Sequence, residues 1–365
     1  MRWVGIALAA AAAVSIAWVL PAAEDPVTQP RAVPSDLSPR QLAGQRIVCG
    51  FDGRRPPSGL VRAIGAGEVG GVILFSDNVS SRAQVRSLTA GLQSVPRPAA
   101  LQEPLIVSID QEGGQVKRLP GPPAMSAAEM GRRGAKAARS QGAATGASLA
   151  AAGVNVDLAP VLDVARPRGF IAEQRRGFAS RPGRVAAVGT AFAVGLQSRG
   201  VAATAKHFPG LGATAANTDL RPSRIRLKAR ALRRVDEAPY RRFIAAGGEL
   251  VMVSSARYPR LGTGKLPASQ SPTLISRELR GRLGFGGVTI SDSLEAPGAR
   301  VGAGPAKVAL RAARAGTDLL LYVHCDAAAK AAGVLANALA EGRLDRAGFE
   351  ASVARVLALR AGLGS

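Results

Sequence analysis

The sequence has few of the residues on which whole classes of protein depend. Its two cysteines, Cys49 and Cys325, are too few for a disulfide scaffold and do not have the C-x-x-C spacing of a metal site. We therefore interpret them as two small buried apolar residues, although one disulfide between them would suit an oxidising compartment. Only two histidines occur, His207 and His324, and we predict neither a metal site nor a cofactor.

Acidic and aromatic residues are also scarce. The chain has 25 acidic against 48 basic residues, a formal net charge of +23, and only 4% aromatic residues. A nucleic-acid surface would cluster its basic residues among aromatics, whereas the arginines here are spread from Arg40 to Arg360. We therefore predict no specific nucleic-acid partner. The charge indicates an arginine-rich surface and, for an exported protein, a loose electrostatic association with an anionic cell envelope.

The first 35 residues differ from the rest of the chain. A basic start is followed by an uncharged stretch, residues 4–20, and then by small residues and two acidic ones. This order predicts an export signal in residues 1–23, with an uncleaved N-terminal anchor as the alternative. Residues 24–35 contain three prolines and predict a linker. We therefore expect an exported protein, either extracellular or associated with the cell envelope.

From residue 36 to residue 365, short β-rich runs alternate with amphipathic stretches. Most of these runs are continuously apolar, which is typical of strands buried on both faces. The predicted strands are residues 46–51, 71–75, 105–109, 154–158, 201–205, 250–253, 287–290 and 318–321. The predicted helices are residues 81–92, 135–152, 184–198, 227–246, 276–283, 307–315 and 327–340, with a last helix that is capped by Asp345 and runs to about residue 363.

Eight such alternations predict a single α/β domain, a (β/α)8 TIM-type barrel. A doubly wound sheet is the alternative, but no G-x-G-x-x-G string follows the first predicted strand. We predict no second domain after the last helix.

Polar residues follow the predicted strands, at the end of a barrel where active sites lie. In a chain so poor in acidic residues and histidine, this placement predicts a functional site there. These residues are Asp110 and Glu112 after the third strand, Asp163 after the fourth, Lys206 and His207 after the fifth, Ser255 and Arg257 after the sixth, and Ser291 and Asp292 after the seventh.

Five short motifs occur in one order along the chain. They are GGVILF at residues 70–75, DQEGG at 110–114, LAPVLD at 158–163, KHFPG at 206–210 and ISD at 290–292. Together they resemble glycoside hydrolase family 3, in particular its single-domain bacterial β-N-acetylhexosaminidases. The resemblance covers roughly residues 38–362, and KHFPG is its most specific string.

The resemblance implies a retaining mechanism in which a carboxylate forms a covalent glycosyl-enzyme. Its nucleophile corresponds to Asp292. Charged groups suit sugar recognition because a hydrogen bond to an ionised group contributes about 1.5–3 kcal/mol. The partner implied is a saccharide substrate, and the hydrolysis needs no cofactor. The residues that the resemblance implies for sugar binding are Asp110, Arg118, Arg176, Lys206 and His207.

One loop departs from the family pattern. In the hexosaminidases the loop after KHFPG ends in Asp-Ser-His, and its histidine is the proton donor. Residues 217–219 here are Asn-Thr-Asp, and Leu211 stands where the family has a histidine after Pro-Gly. Three outcomes follow. Asp219 acts as acid/base with a pKa raised by burial or by the charge of Asp292, another residue such as Glu173 protonates the leaving group, or the protein binds sugars without turnover.

The sequence therefore predicts an exported exo-β-N-acetylglucosaminidase that acts on terminal β-linked N-acetylglucosamine in cell-wall-type saccharides. A family member with another sugar specificity is one alternative, since residues 217–219 reshape the loop beside the bound ring. A non-catalytic glycan-binding barrel is the other.

Overall fold

The computed structural model describes Met1 and residues 32–364. Apart from Met1, the predicted export signal in residues 1–23 lies outside this part of the chain, as do residues 24–31 of the predicted linker. Within the described residues, no helix is both long and apolar enough to cross a membrane.

Eight parallel strands form the centre of the fold. Each of the first six strands pairs with the next along the chain, and the eighth pairs back onto the first. Hydrogen bonds such as Ser291 N to Leu319 O, at 2.9 Å, close the remaining side. The predicted (β/α)8 barrel is confirmed. In chain order the strands are β1 Ile47–Cys49, β2 Gly71–Leu74, β3 Ile106–Ile109, β4 Val156–Asp157, β5 Ala202–Phe208, β6 Leu250–Val253, β7 Val288–Ser291 and β8 Leu320–Tyr322.

Helices surround the strands. They are α1 Pro39–Gly44, α2 Ser58–Gly65, α3 Arg82–Gln93, α4 Ala127–Arg133, α5 Ala135–Ala150, α6 Phe170–Glu173, α7 Pro182–Gln197, α8 Ala229–Ala231, α9 Ala238–Ala245, α10 Pro297–Arg300, α11 Pro305–Ala315, α12 Cys325–Ala340 and α13 Arg346–Gly362. Two stretches are π-helical, Leu232–Asp236 and Thr273–Arg282. Short 3-10 turns lie at Ser76–Asn78, Ala99–Leu101, Pro259–Leu261 and Ala268–Gln270, and a small antiparallel hairpin pairs Gln111–Gly113 with Val116–Lys117.

The strands are apolar on both faces because each face packs against apolar groups. Val48 of β1 and Ile73 of β2 belong to the cluster inside the barrel. Their neighbours Ile47 and Val72 belong to the larger cluster under the helices. Successive side chains of a strand point to opposite faces, so two apolar environments produce a continuous apolar run.

The last helix covers the amino-terminal end of the barrel. Val356 and Leu363 pack into the interior cluster. The buried guanidinium of Arg360 donates to the backbone oxygens of Glu103, at 2.7 Å, and Pro104, at 2.9 Å, just before β3. This end is therefore filled, which leaves the carboxyl ends of the strands for a binding site.

Several predicted element bounds are wrong in informative ways. Strand β5 is longer than predicted and contains Lys206 and His207, because Phe208 still pairs with Val253 of β6. The single helix predicted for residues 227–246 is divided into α8, a π-helical stretch and α9. Pro239 stands at the start of α9, where its missing N–H costs no helical hydrogen bond. The helix predicted at residues 276–283 is the π-helix Thr273–Arg282.

Cys49 and Cys325 form a disulfide, so the interpretation of them as separate buried residues is wrong. The bond joins the end of β1 to the start of α12, which follows β8. Backbone bonds bring these ends together: Gly50 N donates to Tyr322 O and Cys325 N donates to Gly50 O, both at 3.0 Å.

Candidate active site

A cavity of about 300 Å³ opens at the carboxyl ends of the strands. Seven of the residues predicted to act on a substrate line it, although they come from four different strand ends. Their individual catalytic and binding roles stay predictions. The seven residues are Asp110, Arg118, Arg176, Lys206, His207, Asp219 and Asp292.

The hairpin after β3 brings Arg118 back toward Asp110. The buried Gln111 side chain accepts from the backbone N–H groups of Arg118 and Leu119, both at 3.0 Å, and donates to Leu119 O at 2.7 Å. Gly113 and Gly114 turn the chain with φ values of 93° and 61°, a region that favours glycine. Arg118 Nη2 thereby lies 3.9 Å from Asp110 Oδ2.

A chain of alternating charges lies along one wall of the cavity. Lys206 Nζ is 2.6 Å from Asp110 Oδ1 and 2.7 Å from Glu112 Oε1. Glu112 also accepts both arms of Arg176, at 2.7 and 2.8 Å. Glu112 is buried and does not line the cavity, so its carboxylate does not face a bound sugar although it follows a strand end. It holds the two cations in place instead.

This arrangement keeps the wall ionised. Burial alone would raise the pKa of Glu112, but Arg176 and Lys206 outweigh it and lower that pKa well below its usual range. Burial alone would lower the pKa of Lys206, but Asp110 and Glu112 raise it. A buried carboxylate and a buried ammonium are each stabilised by the other's charge. The cavity therefore presents fixed donors and acceptors suited to hydroxyl groups.

Asp163, after β4, organises the loop that follows Lys206. One of its oxygens lies 2.7 Å from His207 Nδ1, and the other accepts from Leu211 N at 2.6 Å and His207 N at 3.3 Å. The side chain is buried and does not line the cavity. Asp163 thus orients the imidazole, a role that its position after a strand did not reveal.

The loop of residues 217–219 lies on the rim of the cavity. Asn217 Oδ1 accepts from Asp219 N at 3.0 Å, and Thr218 O accepts from Gly298 N at 3.0 Å. A Cβ atom at position 298 would lie 2.5 Å from Thr218 O, so glycine is required for this close approach. These contacts fix the rim and hold the Asp219 carboxyl at the cavity.

Asp292 influences the ionisation of Asp219. Asp292 follows β7, and its backbone N–H donates to Val253 O at 3.1 Å. The negative charge of Asp292 is the main cause that raises the pKa of Asp219 to about 6, and burial adds to it. His207 and Arg176 act in the opposite direction. Two carboxyl groups on one cavity, one of which has a raised pKa, are suited to serve as an acid and a nucleophile.

The other residues considered from the sequence lie elsewhere. Glu173 is exposed and does not line the cavity. His324 is exposed, does not line it either, and its Nδ1 lies 2.9 Å from Glu295 Oε1. Phe170 and Met252 do line the cavity and were not predicted, because nothing distinguishes them in sequence from other apolar residues.

No group of three or more histidine, cysteine or acidic residues within residues 32–364 has an arrangement that could hold a metal ion.

Comparisons with known proteins agree with this architecture. The model of the glycosyl hydrolase family 3 N-terminal domain matches residues 43–359. The chain belongs to glycosyl hydrolase family 3. It is therefore a glycoside hydrolase, as the motifs predicted.

Individual relatives resemble most of the chain. An uncharacterized secreted glycosyl hydrolase of Arthroderma benhamiae is 39% identical over 332 residues, which are 88% of this chain and 93% of that protein. A beta-hexosaminidase of Alkalilimnicola ehrlichii is 35% identical over 76% of this chain and 80% of its own length. A solved family 3 β-N-acetylglucosaminidase of a Paenibacillus species superposes with a TM-score of 0.83 and 34% identity. That alignment covers 90% of this chain but 64% of the Paenibacillus chain.

Proposed function

We propose that the protein is an exported, retaining exo-β-N-acetylglucosaminidase with Asp292 as nucleophile and Asp219 as acid/base. The observation that carries the proposal is electrostatic: the charge of Asp292 raises the pKa of Asp219 to about 6 on a shared cavity. A carboxyl with that pKa is protonated in a useful fraction near neutral pH, whereas an unperturbed aspartic acid, with a pKa of about 3.9, is not.

The reaction proceeds in two steps. The Asp292 carboxylate attacks the anomeric carbon while the bond to the leaving oxygen breaks and that oxygen takes the Asp219 proton. Water then attacks the anomeric carbon of the glycosyl-enzyme and gives its proton to Asp219. The Asp292 carboxylate leaves, and both residues return to their starting states.

The charged wall binds the sugar in this mechanism. Lys206 and Arg176 donate to hydroxyl oxygens, and Asp110 accepts from hydroxyl groups. Lys206 and Arg176 are already held by Glu112 at 2.7–2.8 Å, so little conformational entropy is lost when a sugar binds. His207 Nδ1 lies 2.7 Å from Asp163, which leaves the other ring nitrogen to form a hydrogen bond with the sugar.

Trapping the covalent intermediate tests the mechanism. Purified protein is incubated with a 2-acetamido-2-deoxy-5-fluoroglycoside carrying a good leaving group, digested, and analysed by mass spectrometry. We expect a mass increase on the peptide that contains Asp292, and release of aryl alcohol from an aryl β-N-acetylglucosaminide. Unlabelled Asp292 together with no aryl release would contradict the proposal.

Another sugar specificity is the second candidate. Asn217 and Thr218 line the cavity beside Asp219, so this part of the cavity wall differs from the wall that an Asp-Ser-His loop would form. A panel of aryl glycosides separates the two candidates. Preference for the N-acetylglucosaminide supports the main proposal, and preference for a sugar without the acetamido group supports the second.

Export and a cell-wall-type substrate belong to the same proposal. The secreted relative from Arthroderma benhamiae and the order of residues 1–23 support export. The disulfide also supports it, because such bonds persist mainly in oxidising compartments. Saccharide binding that survives both Asp292→Asn and Asp219→Asn, with no turnover by the wild type, would instead indicate a binding protein.

A further inference from the structure

A strongly basic segment begins just beyond the rim residue Asp219. We call residues 221–234 the basic strap. It holds seven of the chain's 48 basic residues and no acidic residue. All seven are exposed: Arg221, Arg224, Arg226, Lys228, Arg230, Arg233 and Arg234.

The strap is held against the barrel by the residues between its cations. Ser223, Ile225 and Leu232 are buried, so cations and buried residues alternate through the first part of the strap. Ile225 N donates to Arg257 O at 2.9 Å, and Arg257 N donates to Ser223 O at 3.0 Å. The backbone is therefore anchored next to the loop after β6, and the charged side chains project outward.

Most of this charge has no internal partner. Arg233 pairs with Glu278, with Nε 3.2 Å from Oε2. The structure gives no carboxylate partner, within residues 32–364, to the other six cations. Like charges held close on one surface repel one another, and an anionic ligand would relieve that repulsion.

The position of the strap relative to the cavity indicates what such a ligand is. Arg221 N donates to Asn217 O at 3.1 Å, so the first residue of the strap is hydrogen-bonded to the rim loop. The proposed function has Asp219 protonate the leaving oxygen, and the remainder of the substrate is attached to that oxygen. This remainder must leave the cavity past Asp219, on the side where the strap begins.

We propose that the basic strap binds the leaving part of a polymeric substrate and that this part is a saccharide carrying carboxylate groups. This inference rests on the proposed function for its direction along the substrate. Residues 220–234 contain no aromatic side chain to stack on bases, which disfavours a single-stranded nucleic acid. Arginine is suited to the ligand because its planar guanidinium binds carboxylates through two parallel hydrogen bonds.

Direct binding tests the inference. The probes are hyaluronate oligosaccharides, in which N-acetylglucosamine alternates with glucuronate, and neutral chitin oligosaccharides with the same number of sugars. Titrations are made at low and high salt, in an Asp292→Asn background so that the ligand is not consumed. We expect tighter binding of hyaluronate than of chitin oligosaccharides, with a preference that decreases as salt rises.

Charge neutralisation locates the contact. The strap variant combines Arg224→Gln, Arg226→Gln and Lys228→Gln. The matched control combines Arg133→Gln, Lys136→Gln and Arg139→Gln, which removes the same charge from exposed positions around α5. We expect the strap variant to bind hyaluronate oligosaccharides about tenfold more weakly at low salt, with an unchanged melting temperature, and the control to bind like the parent.

Three results would overturn the inference. Equal weakening of binding in both variants would indicate an effect of net charge alone. No preference for hyaluronate over chitin oligosaccharides, or strap-dependent binding of duplex DNA that is tighter than that of hyaluronate at the same salt, would overturn it as well. None of these measurements requires turnover. Absence of hydrolysis would therefore count against the proposed function without affecting the binding result.

Discussion

At residue 219 the chain carries a carboxyl group where similar hexosaminidases carry a histidine. A histidine titrates near pH 6.5 without help, whereas an aspartic acid needs its neighbours to reach that range. Here the charge of Asp292 raises the pKa of Asp219 to about 6, and burial assists. The acid/base role that we propose for Asp219 thus depends on its neighbours, which raise its pKa.

The pH profile of hydrolysis depends on this residue. The proposed mechanism requires the protonated form of Asp219 in the first step, so kcat/KM should fall about tenfold per pH unit as the pH rises above about 6. The Asp219→Asn substitution should lower kcat/KM by about 10²–10⁴-fold for substrates with poor leaving groups. The decrease should be much smaller for a dinitrophenyl glycoside, because dinitrophenolate leaves without a proton. Initial rates from pH 4 to 9 provide the measurement. Asp326→Asn, an exposed carboxyl outside the cavity, is the control, and an unchanged alkaline limb in Asp219→Asn would contradict the assignment.

Asp157, at the end of β4, is a second carboxyl with a raised pKa. Burial is the main cause that raises its pKa to about 8, against the effect of the Gln111 N–H, which it accepts at 3.0 Å. Its unfolded pKa is about 3.9, so the folded state binds one more proton than the unfolded state between these values. Stability from this group is complete below about pH 4 and decreases as the pH rises toward 8.

Asp157→Asn should remove that decrease, because asparagine keeps the accepting oxygen but does not ionise. Wild-type stability should fall by up to about 1.4 kcal/mol per pH unit across this window relative to the variant. Melting temperatures from pH 4 to 9 report the difference. Parallel curves for the two proteins would show that Asp157 is ionised in the folded state at neutral pH.

At the scale of single elements, the sequence predicted the eight strands because their apolar runs reflect two apolar faces. The end of β5 could not be located, because Lys206 and His207 are polar and yet pair within the barrel. Capping residues in the sequence do mark the starts of some helices. Ser38 with Gln41 and Ser126 with Glu129 form capping boxes that mark α1 and α4, and neither helix was predicted.

The predicted cap of the last helix is confirmed. The Asp345 side chain accepts from Gly348 N at 2.7 Å at the start of α13. Asp345→Ala should lower the free energy of unfolding by about 1 kcal/mol, because an N–H group of the first turn then lacks a protein acceptor. Urea denaturation measures this loss. Asp345→Ser should retain most of the stability, and an equal loss in both variants would indicate that the cap contributes little.

At the scale of the whole molecule, the sequence predicted which residues meet because a barrel brings every strand end to one face. Asp110 and Asp292 are 182 positions apart and still line one cavity. The order of strands could not reveal which charged side chains line the cavity and which are buried behind the lining residues. Glu112 and Asp163 were placed on the correct face but are buried behind it, where they hold Lys206, Arg176 and His207. The burial of these two carboxylates follows from side-chain packing, which the strand pattern does not predict.

The disulfide links the first strand of the barrel to the helix that follows the last strand. Its cysteines are 276 positions apart, and cross-linking a long loop restricts the unfolded chain most. Replacing both cysteines by alanine should lower the free energy of unfolding by about 2–5 kcal/mol. Guanidinium denaturation with and without a thiol reductant provides the test. The reductant should weaken the wild type to the level of the variant and leave the variant unchanged, and a reductant-insensitive wild type would contradict this expectation.

The same bond has a consequence for biosynthesis. A ribosome makes Cys49 long before Cys325, and all the residues of the cavity are translated between the two. The Cys49 thiol of a nascent chain therefore has no cysteine to pair with until all eight strands have been translated. A truncated or stalled product cannot form the bond and keeps a reactive sulfur. Alkylation of free thiols in a fresh preparation would thus measure the fraction of truncated chains, because chains that have formed the disulfide are not labelled.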